Sequence, residues 1–278
     1  MKNKFKKPIE VIREKNKFDI HLSQNEECLE QETIIDNNQS HNGAVFIDIK
    51  NISKTFGIGD KKFYALNNIS FKLYENENVA LIGANGAGKT TFVEILSGVH
   101  LPSSGNIEYL YDYENNFQEK IGIQFQESIY PSGLKVKNII RFIIDVYNID
   151  INKSELNQIV EAFGLKDLYN KNAKSLSGGQ QQRLNILLAL IHKPKLVILD
   201  ELSTGLDISV RNKIIDFIIL YCQKFKIQIL LISHNMDEVE KITDRIIIFQ
   251  KGVLKVDLKT KDVITKYQSV ENLAKKYI

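Results

Sequence analysis

Two glycine-rich stretches set out the chemistry available to this chain: GANGAGKTT at residues 83–91 and SLSGGQQQRL at residues 175–184. The first follows the apolar run VALI and precedes the helical pattern FVEIL. Gly83, Gly86, Gly88, Lys89 and Thr90 therefore spell G-x-x-x-x-G-K-[ST] between a strand and a helix. Without Cβ atoms to obstruct approach, the backbone N–H groups of Gly83, Ala84, Asn85, Gly86, Ala87 and Gly88 can wrap around phosphate oxygens. The following helix, which opens through Thr91, adds the positive end of its dipole. Lys89 reaches the β and γ phosphates, and the Thr90 hydroxyl suits Mg²⁺. The plainer alternative is a glycine-rich turn with a surface lysine, and the next motif weighs against it.

That motif is KLVILDELSTGLD, where a continuous apolar run ends in Asp200 and Glu201. A strand buried along its length delivers both carboxylates to the carboxyl edge of a sheet, where open α/β folds bind ligands. There Asp200 is suited to hold Mg²⁺ through water, and Glu201 to orient and polarise an attacking water. The run ILLISHN repeats the logic and brings His234 to the same edge, where an imidazole can contact a γ-phosphate. His21, His41, His100 and His192 lack such a setting and read as structural residues.

The elements that must position these groups follow from the hydrophobic pattern. VALI, LVIL and ILLIS are unbroken apolar runs, as parallel strands covered on both faces require, whereas VFIDIKNI and ISFKLY alternate like edge or antiparallel strands. Helical patterns lie at about 89–98, 135–147, 154–163, 178–192 and 208–224. The alternation predicts an α/β fold with a mostly parallel central sheet and an antiparallel β edge. No internal repeat is visible, so one such unit is expected.

At 278 residues and 43% hydrophobic content the chain has material for a sizeable core. Its 37 basic and 34 acidic side chains leave a formal charge of +3, which by itself points to no nucleic-acid or acidic partner. Cys28 and Cys222 lie far apart, outside any metal-binding or disulfide spacing, and fit a reducing compartment. The longest apolar runs are far shorter than the roughly 20 residues of a membrane span, and the basic amino end has no apolar segment of a secretory signal. Residues 1–43, basic then acidic and rich in Lys, Asn and Glu, are expected to be a poorly ordered extension before a folded domain at 44–278.

Together these residues resemble the ATP-binding cassette (ABC) ATPase family. GANGAGKTT resembles its Walker A motif, LVILDE its Walker B motif, LSGGQQQRL its signature, STGLD its D-loop, ISHNMDEVE its H-loop and IGIQFQES the segment with its Q-loop glutamine. The resemblance implies a P-loop NTPase with a helical signature subdomain at about 124–185, binding ATP and Mg²⁺. It implies that two cassettes close head to tail, so that Ser177, Gly178, Gly179 and Gln180 face an ATP held by the other cassette. By the same resemblance Gln126 serves Mg²⁺ or water and couples to a membrane partner, Asp207 lies at the dimer interface, and Phe56 stacks on adenine. The spacing after Phe56 is longer than usual, which leaves Phe63 and Tyr64 as alternatives.

Leu202 also departs from the family pattern, which often carries proline there. DELSTGLD and HNMDEVE look most like the bacterial drug or lipid exporter branch. The implied function is an ATP-hydrolysing subunit at the inner face of the cell membrane. It would be partnered by an integral membrane permease and a second nucleotide-binding domain, as a homodimer or heterodimer. A soluble ABC ATPase acting on ribosomes, nucleic acid or a cluster-assembly complex is the alternative. One cassette, with about ninety residues between Walker A and signature, argues against it.

Overall fold

The computed structural model describes residues 32–36, 39–41, 43–124, 130–202 and 205–278. Ten strands lie among the described residues: β1 (Ile34–Ile35), β2 (Val45–Phe56), β3 (Phe63–Tyr74), β4 (Val79–Ile82), β5 (Ser104–Tyr109), β6 (Ile121–Gln124), β7 (Leu196–Asp200), β8 (Gln228–Ile232), β9 (Arg245–Gln250) and β10 (Val253–Lys259). The helices are α1 (Lys89–Leu96), α2 (Val136–Val146), α3 (Lys153–Ala162), α4 (Gly178–Leu190), α5 (Ile208–Phe225), α6 (Met236–Ile242), α7 (Thr260–Tyr267) and α8 (Val270–Ala274).

The larger sheet has the order β1-β10-β9-β4-β8-β7-β6, parallel throughout except where β10 runs antiparallel to β9. Its unbroken apolar strands follow from burial on both faces. On one face Ala80, Ile82, Val197, Leu199, Ile229 and Leu231 join a core with side chains from α2–α8. The alternate residues Val79, Leu81, Leu196, Ile198, Leu230 and Ile232 join a second core with Phe92 of α1 and the inner face of β2 and β3. Each such buried Ile or Leu contributes about 1.5–3 kcal/mol, so neither face tolerates a polar substitution.

The alternating strands are antiparallel, as their pattern suggests, and form a sheet of their own, β3-β2-β5, packed on α1. The stretch between Phe56 and Phe63 is the turn of the β2–β3 hairpin, with a short 3-10 segment at Gly59–Lys61, and it absorbs the extra residues noted in the sequence. The hydrophobic pattern does not reveal α6, α7 and α8, of seven, eight and five residues.

The expected domain start at residue 44 falls behind a stretch that already belongs to the sheet. Ile34 and Ile35 pair in parallel with Val256 and Asp257, Gln39 Nε2 donates to the Asp257 carbonyl at 2.7 Å, and Tyr277 Oη donates to the Glu32 carbonyl at 2.9 Å. His41 stacks on Tyr74 with ring centroids 3.7 Å apart, and its Nδ1 lies 2.9 Å from Glu77. Glu77 also meets the buried Arg245, whose guanidinium is held at 2.6 Å by each oxygen of Asp257. That network satisfies a charge that burial would otherwise penalise heavily. Cys222 is buried, and burial pushes its thiol up to about 12, so it is inert as a nucleophile.

Candidate active site

Strand register brings the chemistry together. Leu81 and Asp200 both pair with Ile232, and Leu199 pairs with Gln124, so the carboxyl ends of β4, β8, β7 and β6 lie side by side. Gly83, Ser233, Glu201 and the exit of β6 therefore share one edge, as the apolar runs implied.

The loop from Gly83 to Gly88 needs its glycines for two different reasons. Gly86 adopts φ 78° with open space around it, so conformation alone demands glycine. Gly88, at φ 102°, begins α1, and a Cβ there would sit 2.5 Å from the Ala65 carbonyl oxygen and 2.8 Å from Leu66. Lys89 Nζ curls over the loop and donates to the carbonyls of Gly83 at 2.6 Å and Ala84 at 3.1 Å. Burial lowers its pKa, while Asp200 and Glu201 act in the opposite direction.

Phe56, Phe63, Tyr64, Gly86, Lys89 and Thr90 line one cleft of about 490 Å³. All three candidate aromatics thus face the phosphate loop. Phe63 and Tyr64 are mostly exposed, whereas Phe56 is half-buried beneath Phe63, at a centroid distance of 5.9 Å. Thr90 is exposed on the first turn of α1, and Thr91 half-buried beside it.

Asp200 is half-buried. Burial raises its pKa and Glu201 raises it further, against the pull of Lys89 and His234. Glu201 adopts φ 52°, a left-handed conformation that costs a non-glycine residue about 1–3 kcal/mol. Bonds on both sides of the residue hold it there: its N–H donates to the Ile232 carbonyl at 2.8 Å, and its own carbonyl accepts from Gln182 Nε2 at 3.1 Å. His234 Nε2 stands 3.9 Å from Glu201 Oε1, close enough to share a substrate atom but beyond a hydrogen bond. A second cleft, of about 520 Å³, is lined by Glu201, Ser233, His234 and Asp237, together with Glu271 of α8.

Several supporting residues escape sequence reasoning. Gln124 ends β6, and its Oε1 accepts from the Asp200 N–H at 3.1 Å. Gln182 is the one residue of three consecutive glutamines that is buried, and no periodicity separates it from Gln180 and Gln181. Glu238 is 1% exposed and accepts from Ser233 Oγ at 3.1 Å, while Ser233 Oγ accepts from the Asn235 N–H at 3.0 Å. The two neighbours of His234 are thereby tied to the start of α6, which the Asn235 side chain caps. Leu202, where the family often has proline, is fully buried in the core beneath the helices.

The signature stretch divides in an unexpected way. Ser177 caps α4 in a reciprocal box with Gln180, its N–H donating to Gln180 Oε1 at 3.0 Å. Gly178 is exposed, and a Cβ added to it would point into open space, whereas a Cβ on Gly179 would meet the Gly205 carbonyl oxygen at 2.4 Å. For Gly179 a contact within the chain is itself enough to require glycine. Gly179→Ala is therefore expected to cost about 1–3 kcal/mol of stability in denaturant unfolding. Gly178→Ala is expected to change it by no more than about 0.5 kcal/mol. Among the described residues, none of Ser177–Gln180 lines either cleft. Asp207 is the exposed N-cap residue of α5, without a side-chain cap bond. Gln126 lies outside the described residues.

A family profile described as ABC transporter matches residues 66–204. The phospholipid-transporting ATPase ABCA3 of Homo sapiens is 36% identical over 215 residues, which are 75% of this chain but 12% of that protein. The chain thus spans about an eighth of the length of the first curated relatives it matches. The energy-coupling factor transporter ATP-binding protein EcfA2 of Clostridium perfringens is 34% identical over 226 residues, 75% of this chain and 78% of that protein. Among solved structures, a dimeric ATP-binding cassette in a post-hydrolysis state bound to ADP and Pi aligns with a TM-score of 0.66 at 25% identity. The alignment covers 77% of this chain and 98% of that one.

Proposed function

Because the chain belongs to the ABC transporter family, we propose that it is the ATP-binding and ATP-hydrolysing subunit that powers a separately encoded membrane permease. The observation that carries this reading is the convergence of Lys89, Asp200, Glu201 and His234 on one sheet edge, with the exposed signature turn outside both clefts. A cassette so built is complete only when a second one brings its Ser177, Gly178 and Gly179 to the bound ATP. The solved cassette dimer supports that arrangement.

In this reading the backbone of 83–88 and Lys89 bind the phosphates, and Glu201 orients water towards the γ-phosphate. His234 contacts that phosphate from the other side, and Asp207 meets the second cassette. Mg²⁺ fits the donor set: one exposed hydroxyl, Thr90, and one half-buried carboxylate, Asp200, suit an ion that keeps waters and phosphate oxygens as its remaining ligands. When bound it neutralises charge on the β and γ phosphates. Gln126 is proposed to serve the same ion or the water.

No helix among the described residues is long and apolar enough to cross a membrane. A peripheral position at the inner face of the cell membrane, on a permease of another polypeptide, follows from the proposed role. Export remains our reading of the direction from DELSTGLD and HNMDEVE. The relatives' names include phospholipid transport as well as methionine import, so they support transport without its direction.

Purification of the tagged chain from detergent-solubilised native membranes tests the role. A stoichiometric multi-spanning protein and Mg²⁺-dependent ATP hydrolysis are expected; ribosomal or cluster-assembly proteins in its place would overturn the transporter reading. The adenine contact has its own test. Phe56→Ala is expected to raise KM for ATP about tenfold with kcat unchanged, as loss of one stacking ring does. A larger effect from Tyr64→Ala or Phe63→Ala would move the adenine to that ring.

A further inference from the structure

Gln182 is 5% exposed and lies in the second turn of α4, the helix that Ser177 caps. Its Nε2 donates to the carbonyls of Glu201 at 3.1 Å and Leu202 at 3.3 Å, and its Oε1 accepts from Gln124 Nε2 at 3.4 Å. Gln124 in turn accepts from the Asp200 N–H. Two amide side chains thus bond the signature helix to the backbone of both carboxylate residues. The first turn of the same helix, at Ser177 and Gly178, is exposed at the surface.

This juxtaposition links two sites. Resting on the ATPase reading, in which Ser177 meets an ATP held by the second cassette, we infer that Gln182 is a positioning residue that couples occupancy of that ATP to Glu201 of its own cassette. The helix is continuous from Gly178 to Leu190, so a shift of its first turn carries Gln182 with it. Glu201 is the responsive end because its left-handed backbone is held by bonds, one of which Gln182 supplies. When the signature turn seats on its phosphate, Gln182 fixes Glu201 in the hydrolytic position; without that contact the Glu201 backbone relaxes. Ligation at one site thereby raises the rate at the other.

A merely structural glutamine would affect folding without affecting cooperativity, and this separates the alternatives. Gln182→Met keeps the side-chain length and removes its bonds, and the double variant Gln124→Met/Gln182→Met leaves neither side-chain amide orphaned, although it also removes the acceptor of the Asp200 N–H. Steady-state ATP hydrolysis by the full chain is measured against ATP concentration, alongside nucleotide affinity and thermal melting. The wild type is expected to be sigmoidal. Q182M is expected to lose about tenfold in kcat at unchanged ATP affinity, with the Hill coefficient falling to about 1. The double variant is expected to match the single one in Hill coefficient, and that readout decides the matter should Q182M not fold. A Hill coefficient retained in the variants, whatever their kcat, overturns the inference alone, as does a hyperbolic wild type. A wild type that does not hydrolyse ATP overturns the ATPase reading and the inference together.

Discussion

Glu201→Gln is expected to lower kcat for ATP hydrolysis about a thousandfold while leaving ATP affinity within a few-fold of wild type, the size of effect that loss of a positioned proton acceptor produces. The carboxylate is replaced by an amide of the same shape. The bonds that set its position run through the main chain, from its N–H to Ile232 and from Gln182 to its carbonyl, so the substitution leaves the left-handed backbone in place. Removing the Glu201 charge also removes one of the two influences that raise the Asp200 pKa. Asp200 then stays ionised to lower pH, and nucleotide binding is held or improved. With hydrolysis slowed and ATP retained, the closed pair of cassettes should persist, visible as an ATP-dependent doubling of mass in light scattering. Turnover near the wild-type rate would remove Glu201 from the catalytic role and leave His234 as the group to examine.

Lys89→Ala acts one step earlier and is expected to raise the Kd for ATP about a hundredfold or more, within the range for removing one partner of a close charge pair. The same substitution is expected to leave the nucleotide-free fold intact. Lys89 is partly buried, burial already disfavours its charge, and its two bonds go to loop carbonyls that water can reach once the side chain is gone. The discriminating measurement is thermal melting with and without nucleotide. In wild type, ATP at a hundredfold excess over Kd stabilises the fold by about 2.7 kcal/mol. In Lys89→Ala at the same concentration the stabilisation should nearly vanish while the baseline melting temperature stays put. A variant that still gains stability from ATP would show that the loop backbone holds the phosphates without the lysine.

Much of this protein is legible because its chemistry is local. A glycine loop between a strand and a helix, and carboxylates or a histidine at the end of an apolar strand, need only nearest neighbours in sequence to be recognised. Burial on both faces leaves the parallel strands unbroken in the hydrophobic pattern, so the sheet that aligns those ends can be anticipated too. Residues 32–36 and 39–41 defeat the same reading for a related reason: the stretch is polar in composition, and the order of these residues comes from pairing with β10 and from His41 between Tyr74 and Glu77, partners remote in sequence.

By itself the amino-acid sequence determined which groups can do chemistry here and the edge of the sheet to which each is delivered, because side-chain type and strand period are properties of short segments. Only the tertiary structure decided how those groups are held. Gly179 owes its identity to Gly205, Gln182 is singled out from two identical neighbours by the carbonyls of Glu201 and Leu202, and Gln124 reaches Asp200 across adjacent strands. Such contacts join residues whose separation along the chain carries no period, so they exist only once strand order and register have brought the segments together.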